Sequence, residues 1–210
     1  MISAGKARYR QGAVPPGRGT GRAQYRLVSG APDASRVKRH RRSAILDHVP
    51  LRSTCLCLLL RTRDDGVREV LLGYKKTGIG TGKIVGLGGH VEPGESAAEA
   101  AAREVKEESG IRVAEGGLAE AAHVTFLFPV RPSWDMDVVI FTCEDWAGGP
   151  AESAEIRPEW YPVADLPFSW MWDDAPYWLP PVLAGERVRA TFSYADDCET
   201  VAEASVGPLS

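Results

Sequence analysis

Glu104, Glu107 and Glu108 follow Arg103 in a segment that opens on Gly88 and Gly89 and carries a further glutamate at Glu95. On a helix, 100° per residue puts the three later carboxylates within about 100° of the circumference, so they share one face. Like charges this close raise one another's pKa unless a cation compensates them. A hard dication would do so, because carboxylate oxygens, carbonyls and water are its preferred ligands. The same spacing also describes an ordinary acidic helix face turned to solvent, and on the glutamates alone that reading stays open.

A helix is nonetheless what the surrounding residues specify. Ser96-x-x-Glu99 is a capping-box signature ahead of an Ala-rich, charge-rich stretch, and Gly110 sits where a C-terminal glycine belongs. That predicts a helix of about fourteen residues. Before it come glycines at 78, 80, 82, 86, 88 and 89, so this backbone must bend sharply or approach something closely. Thr54–Leu60 reads as a buried strand, Asp64-Asp65-Gly66 as a turn and Glu69–Tyr74 as the hairpin partner. Further strands are expected at 122–130, 136–143, 159–163 and 187–194, and a second helix from Asp174 to Leu183 whose course Pro180 and Pro181 disturb. Strands before and after helices, without strict alternation, predict an α/β (α+β) sandwich around a mixed sheet.

Composition bounds the rest. The 210 residues are 44% hydrophobic and carry a formal charge of −3, but residues 1–42 hold eleven Lys/Arg against one acid, a local +10, and residues 43–210 fourteen against twenty-seven, a local −13. The Arg-, Gly- and Pro-rich first part shows neither helical nor strand periodicity and cannot bury enough apolar surface to order itself. Val37–Arg42 could grip an acidic partner by charge; a solvated tail, a translated upstream segment and an organelle transit peptide are the other readings of this arm. The longest apolar run, Cys55–Leu60, is far short of the roughly 20 residues a membrane-spanning helix needs. No secretory core of about 7–15 apolar residues opens the chain, and the four cysteines form no CxxC pair, so a reducing, cytoplasmic setting is expected.

The segment from Gly89 to Ile111 satisfies every defined position of G-x5-E-x7-R-E-U-x-E-E-x-G-U, where U is aliphatic: Gly89, Glu95, Arg103, Glu104, Val105, Glu107, Glu108, Gly110 and Ile111. Nine matches over 23 residues resemble the Nudix box, and the chain is identified as similar to the Nudix hydrolases. The resemblance implies an α/β/α sandwich and a Mg²⁺ cofactor, replaceable by Mn²⁺, held by Glu104, Glu107, Glu108 and the carbonyl of Gly88. It further implies that Arg103 orients a box glutamate, that Glu95, Gly89 and Gly110 support the loop–helix geometry, and that Glu108 activates water or holds the metal that does so. Residues 1–43 would then be a basic, flexible, disordered arm, and 44–210 the hydrolase domain with a short C-terminal tail.

Outside the box, Leu71–Lys76, Gly86–Gly89, Met136–Val138, Glu155–Pro158 and Leu166–Trp178 resemble the MutT-like oxidised purine nucleoside triphosphate hydrolases. By that resemblance Glu155 adds a metal ligand, and Thr54, Lys75, Val85, Leu87, Gly88, Gly89, Phe126, Met136, Trp172 and Asp174 contact substrate, with Trp172 stacking on the base. Phe126 and Met136 read equally well as core. Trp172 lies in a cluster of six Trp/Tyr residues between Trp160 and Trp178. The departures are Val85 for a base-reading asparagine, Ala175 after Asp174 where a second aspartate stands, Ile79 for an aromatic residue and His90 for lysine. The expected activity is Mg²⁺-dependent conversion of a modified, oxidised purine (d)NTP to the monophosphate and pyrophosphate, which serves nucleotide-pool sanitation and DNA repair. Hydrolysis of a dinucleoside polyphosphate, ADP-ribose or an RNA 5′ end is the alternative, followed by a non-catalytic binding module. A monomer is expected, with no membrane contact and no requirement for nucleic acid.

Overall fold

Cys55–Leu60 is apolar at every position, which suits a strand covered on both faces. In the computed structural model, which describes residues 51–210, it lies inside β1 (Arg52–Thr62), the middle of an eight-stranded sheet. The strands that follow are β2 (Arg68–Lys75), β3 (Ile84–Val85), β4 (Arg112–Val113), β5 (Ala119–Leu127), β6 (Met136–Cys143), β7 (Trp146–Ala147), β8 (Ile156–Pro162), β9 (Val188–Tyr194) and β10 (Val201–Pro208). Hydrogen bonding runs β10-β9-β5-β6-β1-β2-β3, with β8 also on β2 and with β4 and β7 forming a separate pair. β1/β6 and β5/β9 are parallel and the other pairs antiparallel, so the sheet is mixed.

Side-chain alternation along β1 divides the core in two. Cys55, Cys57 and Leu59 pack with Ala100, Ala101 and Val105 of α1 (Ala97–Ser109), whereas Leu58 and Leu60 belong to the cluster that holds Leu179, Val182 and Leu183 of α2 (Ala175–Leu183). One helix therefore covers each face, and the fold is the expected α+β sandwich. Among the described residues, no helix is long and apolar enough to cross a membrane.

Local signals held where the chain itself supplied the partner. Both hydrogen bonds of the capping box form, with Ser96 Oγ accepting from Glu99 N and Glu99 Oε2 from Ser96 N, and Gly110 ends α1 in the left-handed conformation. Boundaries moved elsewhere. β5 starts three residues earlier than expected and ends at Leu127, leaving Val130 exposed in a turn. The short C-terminal tail is instead β10, paired with all of β9. Its burial is slight apart from Val201 and Gly207, so no apolar alternation announces it and the backbone of β9 decides its conformation. The expected arm, residues 1–43, lies outside the described residues.

Candidate active site

β1 and β2 pair only through residues 59–62 and 68–71 and then diverge. The segment after β3 runs along the part of β1 left free: Cys57 N donates to Leu87 O at 2.7 Å, Cys55 N to Gly89 O at 2.9 Å, and Val91 N to Ser53 O at 3.0 Å. This explains two of the glycines. A Cβ on Gly88, at φ 152°, would lie 2.1 Å from Cys55 O, and one on Gly89 would lie 2.3 Å from Glu104 Oε1. Gly88 lets two backbones touch, and Gly89 lets a carboxylate rest on the backbone.

Arg103 is the hub of the carboxylate end. Its Nε and Nη2 donate to the two oxygens of Glu95 at 2.9 and 3.0 Å, its Nη1 to Glu104 at 2.9 Å and to Glu107 at 3.3 Å, and its Nη2 also to His90 O at 2.9 Å. One planar guanidinium thus holds three box glutamates, Glu95, Glu104 and Glu107, and ties the loop to α1, a geometry lysine cannot copy. Hydrogen bonds from Arg103 and then from Glu92 N hold the Glu95 carboxyl below the usual range. Glu108 is the opposite case. Its side chain is buried, Oε2 accepts from Gly88 N at 2.8 Å, and Lys75 Nζ stands 3.7 Å from Oε1. Burial pushes its carboxyl up to about 7, against the opposing effect of the Gly88 amide and Lys75.

A solvated acidic face does not look like this. Of the three glutamates that share the box face only Glu107, with 60% of its side chain exposed, is well hydrated; Glu104 is at 17% and Glu108 at 4%. Glu104, Glu107 and Glu155, which precedes β8, border one cavity of about 710 Å³, and Glu108 lies behind its wall next to Gly88. No group of three or more His, Cys, Asp or Glu side chains among the described residues is gathered to metal-binding distance. Arg103 and the Gly88 amide hold these carboxylates instead. The donor set itself, glutamate oxygens with the Gly88 carbonyl, is all hard oxygen and fits a dication such as Mg²⁺.

The cavity continues from the carboxylates over the α2-side face of the sheet. Thr54, Val85, Phe126, Met136, Trp172, Asp174 and Ala175 line it, together with His90 and Ile79. Thr54 Oγ1 donates to Asp137 O at 3.1 Å. Phe126 and Met136 serve both readings, since they face the cavity and also pack against the α2-side core. Of the two lysines, Lys75 borders the cavity, while Lys76 Nζ is turned away to Glu152, at 2.7 Å, and to Ser153 O. Asp173 also points elsewhere: its carboxylate accepts from Val201 N of β10 at 2.9 Å.

Leu87 corrects an expectation. Its side chain is wholly buried in the α1-side core with Cys57 and Val105, because it points away from the cavity that its neighbours Gly86 and Gly88 border. The aromatic cluster is likewise divided. Trp160 stacks on Trp146 with centroids 5.6 Å apart, Trp170 and Tyr177 are exposed, and Trp172 and Trp178 line the cavity. Trp172 meets Phe128 and Tyr194 edge-on at 6.2 and 5.7 Å, and Lys83 Nζ lies 4.6 Å over its ring. Phe128, Trp178 and Tyr194 were not among the expected site residues. Alternation on β5 from Phe126 points to Phe128, but nothing local reveals that β9 lies in parallel beside β5 and brings Tyr194 to the same face.

Comparison with known proteins agrees with this geometry. The NUDIX domain family matches residues 50–180. The mouse oxidized purine nucleoside triphosphate hydrolase is 40% identical over 129 residues, 61% of this chain and 81% of that protein, and the zebrafish protein of the same name is 42% identical over 126 residues, 60% and 79%. The crystal structure of a MutT protein from Bacillus halodurans superimposes with a TM-score of 0.62 at 21% identity, over 76% of this chain and all of that one, a likeness of fold. Nudix hydrolases generally use a divalent metal. The loop–helix glutamates, the sheet between two helices and the family match over residues 50–180 meet in one conclusion: this chain belongs to the Nudix hydrolase family.

Proposed function

We propose that the protein is a Mg²⁺-dependent pyrophosphohydrolase that converts a modified, oxidised purine (d)NTP to its monophosphate and pyrophosphate, and so cleanses the nucleotide pool. The observation that carries this reading is the single cavity that joins a carboxylate end to an aromatic end. A nucleoside triphosphate has the same two halves, a polyanion and a flat base. The relatives at 40 and 42% identity, both bearing the name oxidized purine nucleoside triphosphate hydrolase, support it.

Each residue then has a task. Trp172 offers a face for the base, between apolar walls that exclude water. Lys75, beside Glu108, attracts phosphate oxygens. Glu104, Glu107, Glu108, Glu155 and the Gly88 carbonyl hold the dication, with Mn²⁺ able to replace Mg²⁺, and Arg103 keeps Glu104 and Glu107 in register for it. The bound cation supplies neutralisation of phosphate charge and a more acidic water. Glu108, buried and within reach of the loop backbone, takes the proton from the attacking water.

A panel tests the reading. With Mg²⁺, the purified protein is expected to release pyrophosphate from 8-oxo-dGTP or 2-oxo-dATP faster than from unmodified dNTPs. A clear preference for a dinucleoside polyphosphate, ADP-ribose or a capped RNA 5′ end would overturn it. Val85 and Ala175, which give the base no polar side chain, make the preferred modification the open variable within the panel.

A further inference from the structure

Asp174 is the buried carboxyl of the aromatic end, 3% exposed, and both its oxygens are engaged from within the chain. Trp178 Nε1 donates to Oδ2 at 2.6 Å, and the Tyr194 hydroxyl donates to Oδ1. The hydroxyl has little freedom. Its ring lies flat on Phe128, with centroids 4.5 Å apart and 4° between the planes, and meets Trp172 edge-on at 5.7 Å. Phe128 in turn touches Trp172. Tyr194 therefore connects the buried carboxyl of the aromatic end to the ring proposed to stack on the base. The other charges nearby are occupied elsewhere: Asp173 accepts from Val201 N, and Glu199 pairs with Lys83 at 2.5 Å.

The chemistry of these partners sets what Asp174 can offer. An indole N–H only donates, so Oδ2 must accept, and a phenol that donates makes Oδ1 an acceptor too. A carboxylate has about four lone-pair sites, so acceptor capacity remains for a ligand after two such bonds. Val85 and Ala175 add no polar side chain to the same wall, and Thr54 spends its hydroxyl proton on Asp137 O. Among Thr54, Val85, Asp174 and Ala175, Asp174 is thereby the charged acceptor offered to the base.

We propose that Tyr194 is a positioning residue for base selection: its hydroxyl orients Asp174 and keeps it an acceptor, so that the pocket selects purines presenting an N–H group to that carboxyl. This rests on reading the cavity as a purine site. Burial raises the Asp174 carboxyl above its ordinary range and so favours the neutral acid, which could donate to the base instead. The two donors oppose that outcome, and Tyr194 is the one attached to the stacking wall.

Tyr194→Phe keeps the ring stack and removes only the hydroxyl. With 8-oxo-dGTP, whose base carries N–H groups, the variant is expected to lose roughly tenfold in kcat/KM, carried by KM, as for one hydrogen bond to a charged group. With the triphosphate of unsubstituted purine deoxyriboside, which has no base N–H, the change should stay within about twofold. In an Asp174→Asn background, Tyr194→Phe should add less than about twofold to the dissociation constant of 8-oxo-dGMP measured calorimetrically. Trp178→Phe, which removes the other donor, should shift the same preference in the same direction and covers the case of a poorly folded Tyr194→Phe. An equal loss on both nucleotides, or an undiminished effect in the Asp174→Asn background, would overturn the proposal. Wild-type protein that hydrolyses neither nucleotide would overturn the reading of the cavity instead.

Discussion

The two ends of the cavity are built in different ways. The carboxylate end comes almost entirely from one continuous stretch, Gly88 to Glu108, in which Arg103 ties Glu95, Glu104, Glu107 and the His90 carbonyl together. Glu155, from before β8, is its distant contributor. The aromatic end takes one to a few residues each from β1, β2, β3, β5, β6, β9, α2 and the segment before α2. At the first end a substitution breaks a bonded cluster; at the second it edits one wall among many. A family can therefore keep its chemistry in a short motif while its base pocket varies residue by residue, and Val85 and Ala175 are such edits.

Five outcomes would sharpen or break this contrast. Glu108→Gln keeps the shape of the buried side chain and removes its charge, and should reduce kcat by more than about a hundredfold; removing the dication with a chelator should abolish turnover, with recovery on adding Mg²⁺. Arg103→Lys keeps the charge but not the fork. It should cost roughly 10- to 100-fold in kcat, as observed for groups that orient metal ligands, and a loss no larger than that from editing the pocket would refute the hub.

At the aromatic end, Trp172→Ala should raise KM by about tenfold through lost stacking, roughly 1–3 kcal/mol per base, with a smaller change in kcat. A pure kcat effect would mean the ring does not meet the base. The smallest shift is expected from Val85→Asn, which returns an amide to the wall: the ratio of kcat/KM between 8-oxo-dGTP and dGTP should move several-fold while the better of the two rates changes little. No movement in that ratio would place Val85 outside the base contacts.

The same contrast governs what could be read before the fold was known. The helix capped by Ser96 and Gly110 and the three glutamates on its box face were legible because caps and carboxylate spacing act over a few residues. Apart from the two-residue β3, β4 and β7, the strands from β1 to β9 were also legible. The strand β10 was not, since its conformation is imposed by pairing with β9 and not by an apolar pattern. Leu87 was expected at the substrate by resemblance, and its side chain points into the core. Phe128, Trp178 and Tyr194 were missed because nothing near them in sequence says which strand lies alongside.

By itself, the sequence determined a capped helix with three glutamates on one face and a full match to the Nudix box, and it is that match, not the spacing alone, that implies a cation. It also determined the sandwich, through an apolar strand that needs cover on both faces. Tertiary structure alone decided how those glutamates differ, exposing Glu107 and burying Glu108 beneath the glycine-rich loop that runs beside β1. It alone set Tyr194 and Trp178 on Asp174. The physical reason is range: capping and spacing act within a turn or two of helix, whereas burial and cross-strand neighbours depend on how distant segments pack.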